Sequence, residues 1–429
     1  MAEVSEFKGV RYNPDSIHYM ADVICPPYDV ISPQEQQALY ERSQYNFVRL
    51  EHAREEEGDD DKHNKYTHSR DSLNQWLKDR VLIQDTVPNY YVHEHSFEIG
   101  EVKKKRLGIF ACVRLEPWEN KVIFPHEFTM SGIKEARLKL MKACHADCSP
   151  IFGLYEDPGN KINQMILSRV RARPTYSFDY NGDSHRFWAV SEPEFVQRVS
   201  HFLIPKAIYV ADGHHRYETA LAYRDYRRQH DAHGPANSSY NYVMMTLVSF
   251  SDPGVVILPI HRLIKGISSA DLSRFRQELG NYFEILEAQA ETVSLGNKHM
   301  GNIKIYGLVE GKMLGLNLLP KTKFRDLVKE RHSEAYFKLD VSAVQHIIVE
   351  KLLGLDANNT DRLAYTPSSD SACKLVQAGQ YQFAILLQPI PAIAIKTVAD
   401  AGDRMPRKST FFYPKLPSGL VMFRTDGEL

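Results

Sequence analysis

Within residues 206–228, KAIYVADGHHRYETALAYRDYRR, the side-chain period changes over five positions. Ala207 to Ala211 form a strand-like apolar run. Tyr217, Leu221 and Arg224 then recur at helical spacing, with Ala220 beneath them. Asp212, Gly213, His214, His215 and Arg216 are all that lies between. A strand must therefore feed a helix through one tight turn, so the fold has to hold sheet and helix together.

The position of that turn points to its chemistry. A helix start presents unpaired backbone N–H groups and a partial positive charge. Gly213 lets the backbone approach a ligand closely, and Arg216 carries a forked donor that suits phosphate oxygens. His214 and His215 can add donors or hold a metal, and Asp212 can orient one of them. The turn reads as a phosphate or anion site. Its plainer alternative is a capped helix in which Asp212 satisfies local backbone and the histidines pack under neighbours. Zinc ligation is disfavoured because adjacent histidines do not readily share one ion, so no metal ligand is assigned.

Elsewhere short strands and helices alternate. Ser32 before Pro33 reads as an N-cap followed by proline at the first helical position, and THSRDSLNQWLKDRVL is an amphipathic helix with Leu73, Trp76 and Leu77 on one face. NYYVHEHSFEIG and KKRLGIFACVRLEPW read as one hairpin, and TYSFDYNGDSHRFWAVS as a second, turning at Asn181-Gly182. GVVILPIHRLI is a β run and DVSAVQHIIVEKLLG a helix. So many hairpins favour α+β over a doubly wound parallel sheet. A chain of 429 residues is long for one core, and three regions are expected: 1–100, 101–240 and 241–429.

A net charge of −1 argues against a chain built to coat nucleic acid or an anionic membrane. The opening MAEVSEFKGVRYNP lacks the pattern of a secretory signal, and five cysteines are too few for a disulfide scaffold. A soluble cytoplasmic protein acting on a small molecule is expected, without a nucleic-acid or membrane partner.

VADGHHRYETAL resembles the signature of the ParB/sulfiredoxin superfamily, in which a G-x-H-R turn opens a helix and cradles nucleotide phosphates. Over its length the chain resembles the family called domain of unknown function 1015, through CPPYDVI, NFVRLE, FPHEFT, SPIFGLY, ADGHHRYETAL, NYVMMTLVSFSDPGVVILPIHRL and KSTFFYPKLPSGLV. It is also similar, at the Asp-Gly-His-x-Arg turn and at an upstream His-Glu pair, to ParB-like kinases of free L-serine. The resemblance implies a ParB/sulfiredoxin-like nucleotide-binding core at 101–240, between N- and C-terminal α+β elaborations. It implies phosphoryl transfer from a nucleotide, ATP or ADP, to a small hydroxylated metabolite, with Mg²⁺ bridging phosphate oxygens and Asp212 available to it.

In that scheme Glu127 of FPHEFT is the catalytic base, with Asp212 and His215 also catalytic. Gly213, His214, Arg216, His126 and Thr129 contact the nucleotide or its phosphates. Glu127 can instead be a helix-start carboxylate or an ion-pair partner of Lys134 or Arg137. Lys408, in the basic loop RMPRKSTFFYPKLPSG, can fold over the phosphates or remain a surface residue. Tyr28 and Asp29 can line the pocket or serve only a turn, and Cys144, His145 and Cys148 read as buried side chains before a metal set. A phosphatase of a small phosphate monoester and a non-catalytic nucleotide-binding regulator would use the same anion cradle.

Overall fold

The computed structural model describes residues 1–129, 131–231, 234–289, 300–356 and 361–429. Its contacts divide into two units. The first comprises residues 1–125, 129–256 and 414–429, the second residues 126–128 and 257–413.

The first unit is built on one large mixed sheet. Its strands are β1 (Val4–Ser5), β2 (Tyr90–Ile99), β3 (Val102–Arg114), β4 (Ile123–Phe124), β5 (Ile151–Tyr155), β6 (Tyr176–Tyr180), β7 (Asp183–Val190), β8 (Ile208–Asp212) and β9 (Tyr242–Ser249). They lie in the order β4-β8-β5-β9-β3-β2-β7-β6, and β1 pairs with β3. The β4–β8 and β5–β9 pairs are parallel and the others antiparallel. Successive residues of one strand enter different cores, as the two-residue period requires. Tyr91, Phe110, Cys112, Phe187 and Met244 pack on one face. Tyr90, Val92, Ile109, Ala111, Val113, Trp188 and Met245 pack on the other. Both faces of the sheet are therefore buried.

The two expected hairpins, β2–β3 and β6–β7, form as read from the sequence. The second turns on Asn181 at φ 51° and Gly182 at φ 89°, the doubly positive backbone that an Asn-Gly pair tolerates. Helix α1 (Pro33–Arg42) starts where Ser32 accepts a bond from the Glu35 amide at 3.2 Å. Helix α2 (Lys65–Lys78) buries Leu73 and Trp76. Helix α3 (Ser131–Cys144) packs against both α2 and α4 (His214–His230). Outside the large sheet, Phe423–Arg424 pairs with Ala146–Asp147.

The second unit has a six-stranded antiparallel sheet. Its strands are β10 (His261–Ile264), β11 (Phe283–Gln289), β12 (Ile303–Tyr306), β13 (Lys312–Leu318), β14 (Leu363–Thr366) and β15 (Phe383–Leu387), in the order β11-β13-β12-β15-β10-β14. GVVILPIHRLI, expected as one run, is two strands broken at Pro259, which cannot donate to a ladder. DVSAVQHIIVEKLLG begins as a helix at Asp340–Ala343 but widens to π geometry over Val344–Leu352. The architecture is mixed α+β. Among the described residues no helix is long and apolar enough to cross a membrane.

Candidate functional site

Strand β8 ends at Asp212, where a shift in its register with β5 between Val210 and Asp212 turns the chain out of the sheet. Gly213 follows at φ 98° and ψ 27°, and α4 begins at His214. A positive φ and a nearby side chain both favour glycine here. A Cβ there would lie 2.9 Å from Arg216 Nε and 3.1 Å from its Cζ, so the position makes room for a guanidinium folded back over the turn. The left-handed backbone adds a further cost for any other residue.

Arg216 is buried and points inward. Its Nη2 donates to Asp212 Oδ2 at 2.7 Å, and its Nη1 donates to the Pro150 carbonyl. Lys415 Nζ donates to the other Asp212 oxygen, Oδ1. Burial pushes the Asp212 carboxyl up, but Lys415 and Arg216 outweigh it and hold the group well below the usual carboxylate range. Burial likewise lowers Arg216, while Asp212, Tyr28, Asp29 and Glu51 together raise it above its ordinary value. Each Asp212 oxygen already faces a cation. An ionised carboxylate has about four lone-pair sites, so these two bonds do not by themselves take Asp212 away from Mg²⁺.

The first turn of α4 has no side-chain cap and no acidic residue. It carries His214, which is buried, and His215, which is half-buried. One turn further on, Glu218 accepts bonds from Thr129 Oγ1 at 2.6 Å, Lys134 Nζ at 2.8 Å and Trp118 Nε1 at 3.3 Å. Burial raises Glu218, yet Lys134 and Thr129 draw it below its ordinary value. Thr129 thus stands beside the helix start through Glu218. Lys134 pairs with Glu218 and Arg137 with Glu51, at 3.4 Å.

A second polar layer lies behind the turn. Glu51 is fully buried; its carboxylate accepts from Ser149 Oγ and pairs with Arg137, which donates to the Glu51 carbonyl at 3.1 Å. The Arg137 guanidinium sits 4.4 Å from the centre of the Tyr28 ring. From the stretch CPPYDVI, Tyr28 and Asp29 contribute to the field that raises Arg216. Asp147 accepts from the Met244 amide at 2.9 Å, and burial pushes its carboxyl up to about 7. Cys144 and Cys148 are buried thiols without a disulfide, and burial raises both.

In the second unit the expected residues Glu127, His126 and Lys408 meet. Glu127 Oε1 accepts from the Lys408 amide at 3.0 Å, and His126 Nε2 lies 3.0 Å from Thr410 Oγ1. The Lys408 carbonyl accepts from Arg262 Nη2 at 3.2 Å. This double hold keeps Lys408 in a left-handed backbone, φ 58°, with its side chain exposed. Arg262 is fully buried; burial lowers it to about 10, against the opposing pull of Tyr365 and Glu127.

A family model described as protein of unknown function (DUF1015) matches residues 4–342. The chain belongs to this family. No curated protein matches its sequence. Among solved structures, the DUF1015 chain is similar to a conserved hypothetical protein from Pyrococcus furiosus at 11% identity and a TM-score of 0.37, over 72% of this chain and 93% of that one. It is similar to a point mutant of a free serine kinase in complex with AMP at 11% identity and a TM-score of 0.38, over 73% and 92%. SbnI from Staphylococcus aureus, with its C-terminus truncated, aligns at 12% identity and a TM-score of 0.35, over 75% and 87%. Likenesses this distant assign no activity.

Two residues of the DUF1015 chain escaped the sequence reading. Lys415 lies about two hundred positions from the carboxylate it binds, so no local pattern could pair them. Glu218 did leave a signal, standing one helical turn after His214, where side chains share a face.

Proposed function

We propose that this protein is a nucleotide-dependent phosphotransferase with a ParB/sulfiredoxin-like core, acting on a small hydroxylated metabolite such as serine. One observation carries the reading. The 17-residue helix α4 opens without a side-chain cap or an acidic residue, on Gly213 and two histidines, directly after a carboxylate already neutralised by Arg216 and Lys415. Such a helix start suits an anion. Its amides, with His214 and His215, hold phosphate oxygens. Arg216 acts one step back by locking the turn, and Lys415 adds positive charge beside it. In the reaction, the acceptor hydroxyl gives its proton to Glu127, its oxygen bonds the terminal phosphorus, and the bond from that phosphorus to the nucleotide breaks. Glu127 as base, and His126, Thr129 and Lys408 as phosphate contacts, enter from the sequence.

The test is a thermal-shift series with ATP, ADP and AMP on the wild type and on His215→Ala. A ligand at about 100 times its Kd adds roughly 2.7 kcal/mol, and the substitution should shrink that shift. Glu127→Gln should keep the shift and lose phosphoryl transfer to serine. If no nucleotide stabilises the wild type, the proposal fails.

A further inference from the structure

Away from the α4 turn, the antiparallel pair β2–β7 carries His93, His95, Asp183 and His185 on one face. His95 is the register partner of His185, and the i, i+2 spacing of His93 with His95 and of Asp183 with His185 puts all four side chains in one column. His95 Nε2 lies 2.8 Å from Asp183 Oδ2, and the His95 and His185 rings stack at 4.2 Å between centres. One ligand atom from each of His95, Asp183 and His185 lies within 4.8 Å of the other two, the one such group among the described residues. We propose that His95, Asp183 and His185 form a binding site for a divalent transition-metal ion of the zinc class.

The donor set fits. Two imidazoles and one carboxylate leave a fourth position open, as in zinc sites that hold water or a substrate. A tetrahedral ion with bonds of about 2.1 Å needs ligand atoms roughly 3.4 Å apart, so the widest separation contracts by at most about 1.4 Å. His185 is already oriented from behind, with His93 Nε2 3.0 Å from its Nδ1, which leaves Nε2 for the metal. His95 and His185 are buried, whereas the Asp183 side chain keeps 20% of its surface exposed beside the Asn181-Gly182 turn, which gives the ion a way in.

One neighbour opposes binding. Arg106 Nη2 lies 3.2 Å from His95 Nδ1, an arrangement that puts the ring proton on Nε2, toward Asp183. Metal uptake moves that proton to Nδ1 with no net release, and Arg106 keeps its bond to the Pro414 carbonyl at 2.9 Å. The rearrangement and the nearby positive charge make the site weaker than a four-ligand structural zinc site.

The experiment is calorimetric titration of the chelator-treated full chain with Zn²⁺, alongside Co²⁺ absorption spectroscopy. About one equivalent of Zn²⁺ should bind per chain, and Co²⁺ should show the intense visible bands of tetrahedral coordination. Asp183→Asn, at a partly exposed position, should weaken binding tenfold or more while circular dichroism stays unchanged. His185→Gln should do the same, and if it fails to fold Asp183→Asn alone decides. Absence of binding, or equal binding by a folded Asp183→Asn chain, overturns the site and leaves Asp183, His95 and Arg106 as a purely structural relay.

Discussion

Asp212 holds a cation on each oxygen, and what this implies can be measured by removing its charge. In Asp212→Asn, Arg216 and Lys415 lose their counter-ion in a buried place, which costs about 3 kcal/mol. The urea midpoint should fall accordingly with its slope unchanged. A loss under about 1 kcal/mol would mean that water already screens the cluster. Asp147 behaves oppositely. Its folded value near 7 lies above the roughly 3.9 of an unfolded aspartate, so the unfolded chain releases this proton first as pH rises. That group's contribution to stability therefore declines between about pH 4 and pH 7 and is flat above. Asp147→Asn should gain Tm relative to wild type across the same window, and a gain independent of pH would refute the buried, protonated carboxyl. At this scale the sequence was only half legible. It located Asp212, Gly213 and Arg216 at the turn, but the inward direction of the Arg216 fork depends on the Pro150 carbonyl, which no local pattern discloses.

Elements were read more securely where their chemistry is local. The Asn181-Gly182 hairpin and the Ser32 cap follow from a few adjacent residues, and both appear as expected. The π turns of 344–352 carry no distinct period, so they could not be told from an ordinary helix in advance. The α3–α4 contact was also invisible, because Glu218 unites it through Thr129 and Lys134, from another part of the chain. Glu218→Ala should cost about 1–2 kcal/mol and speed amide hydrogen exchange in the first two turns of α4. Unchanged exchange there would show that apolar packing alone seats the helix.

For the whole molecule, the three-region division proposed from sequence and the two contact units cut the chain differently. Residues 1–100 supply β1 and β2 to the same sheet as 101–240, and residues 414–429 return to that unit after the second has been traversed. A chain joining Val256 to Pro414 through a flexible Gly/Ser linker should fold as the first unit alone, with one cooperative transition. One ending at Tyr413 should melt lower, for want of Lys415 and the Phe423–Arg424 pairing. If both melt alike, the 414–429 segment is dispensable. The same return sets a timetable during synthesis. At roughly 5–20 residues per second, the ribosome takes about ten to thirty seconds to make the roughly 160 residues that separate Val256 from Pro414. Through that interval the Ala146–Asp147 edge waits unpaired and the nascent Asp212 has one of its two cations, so a chaperone that shields this edge would have its work there.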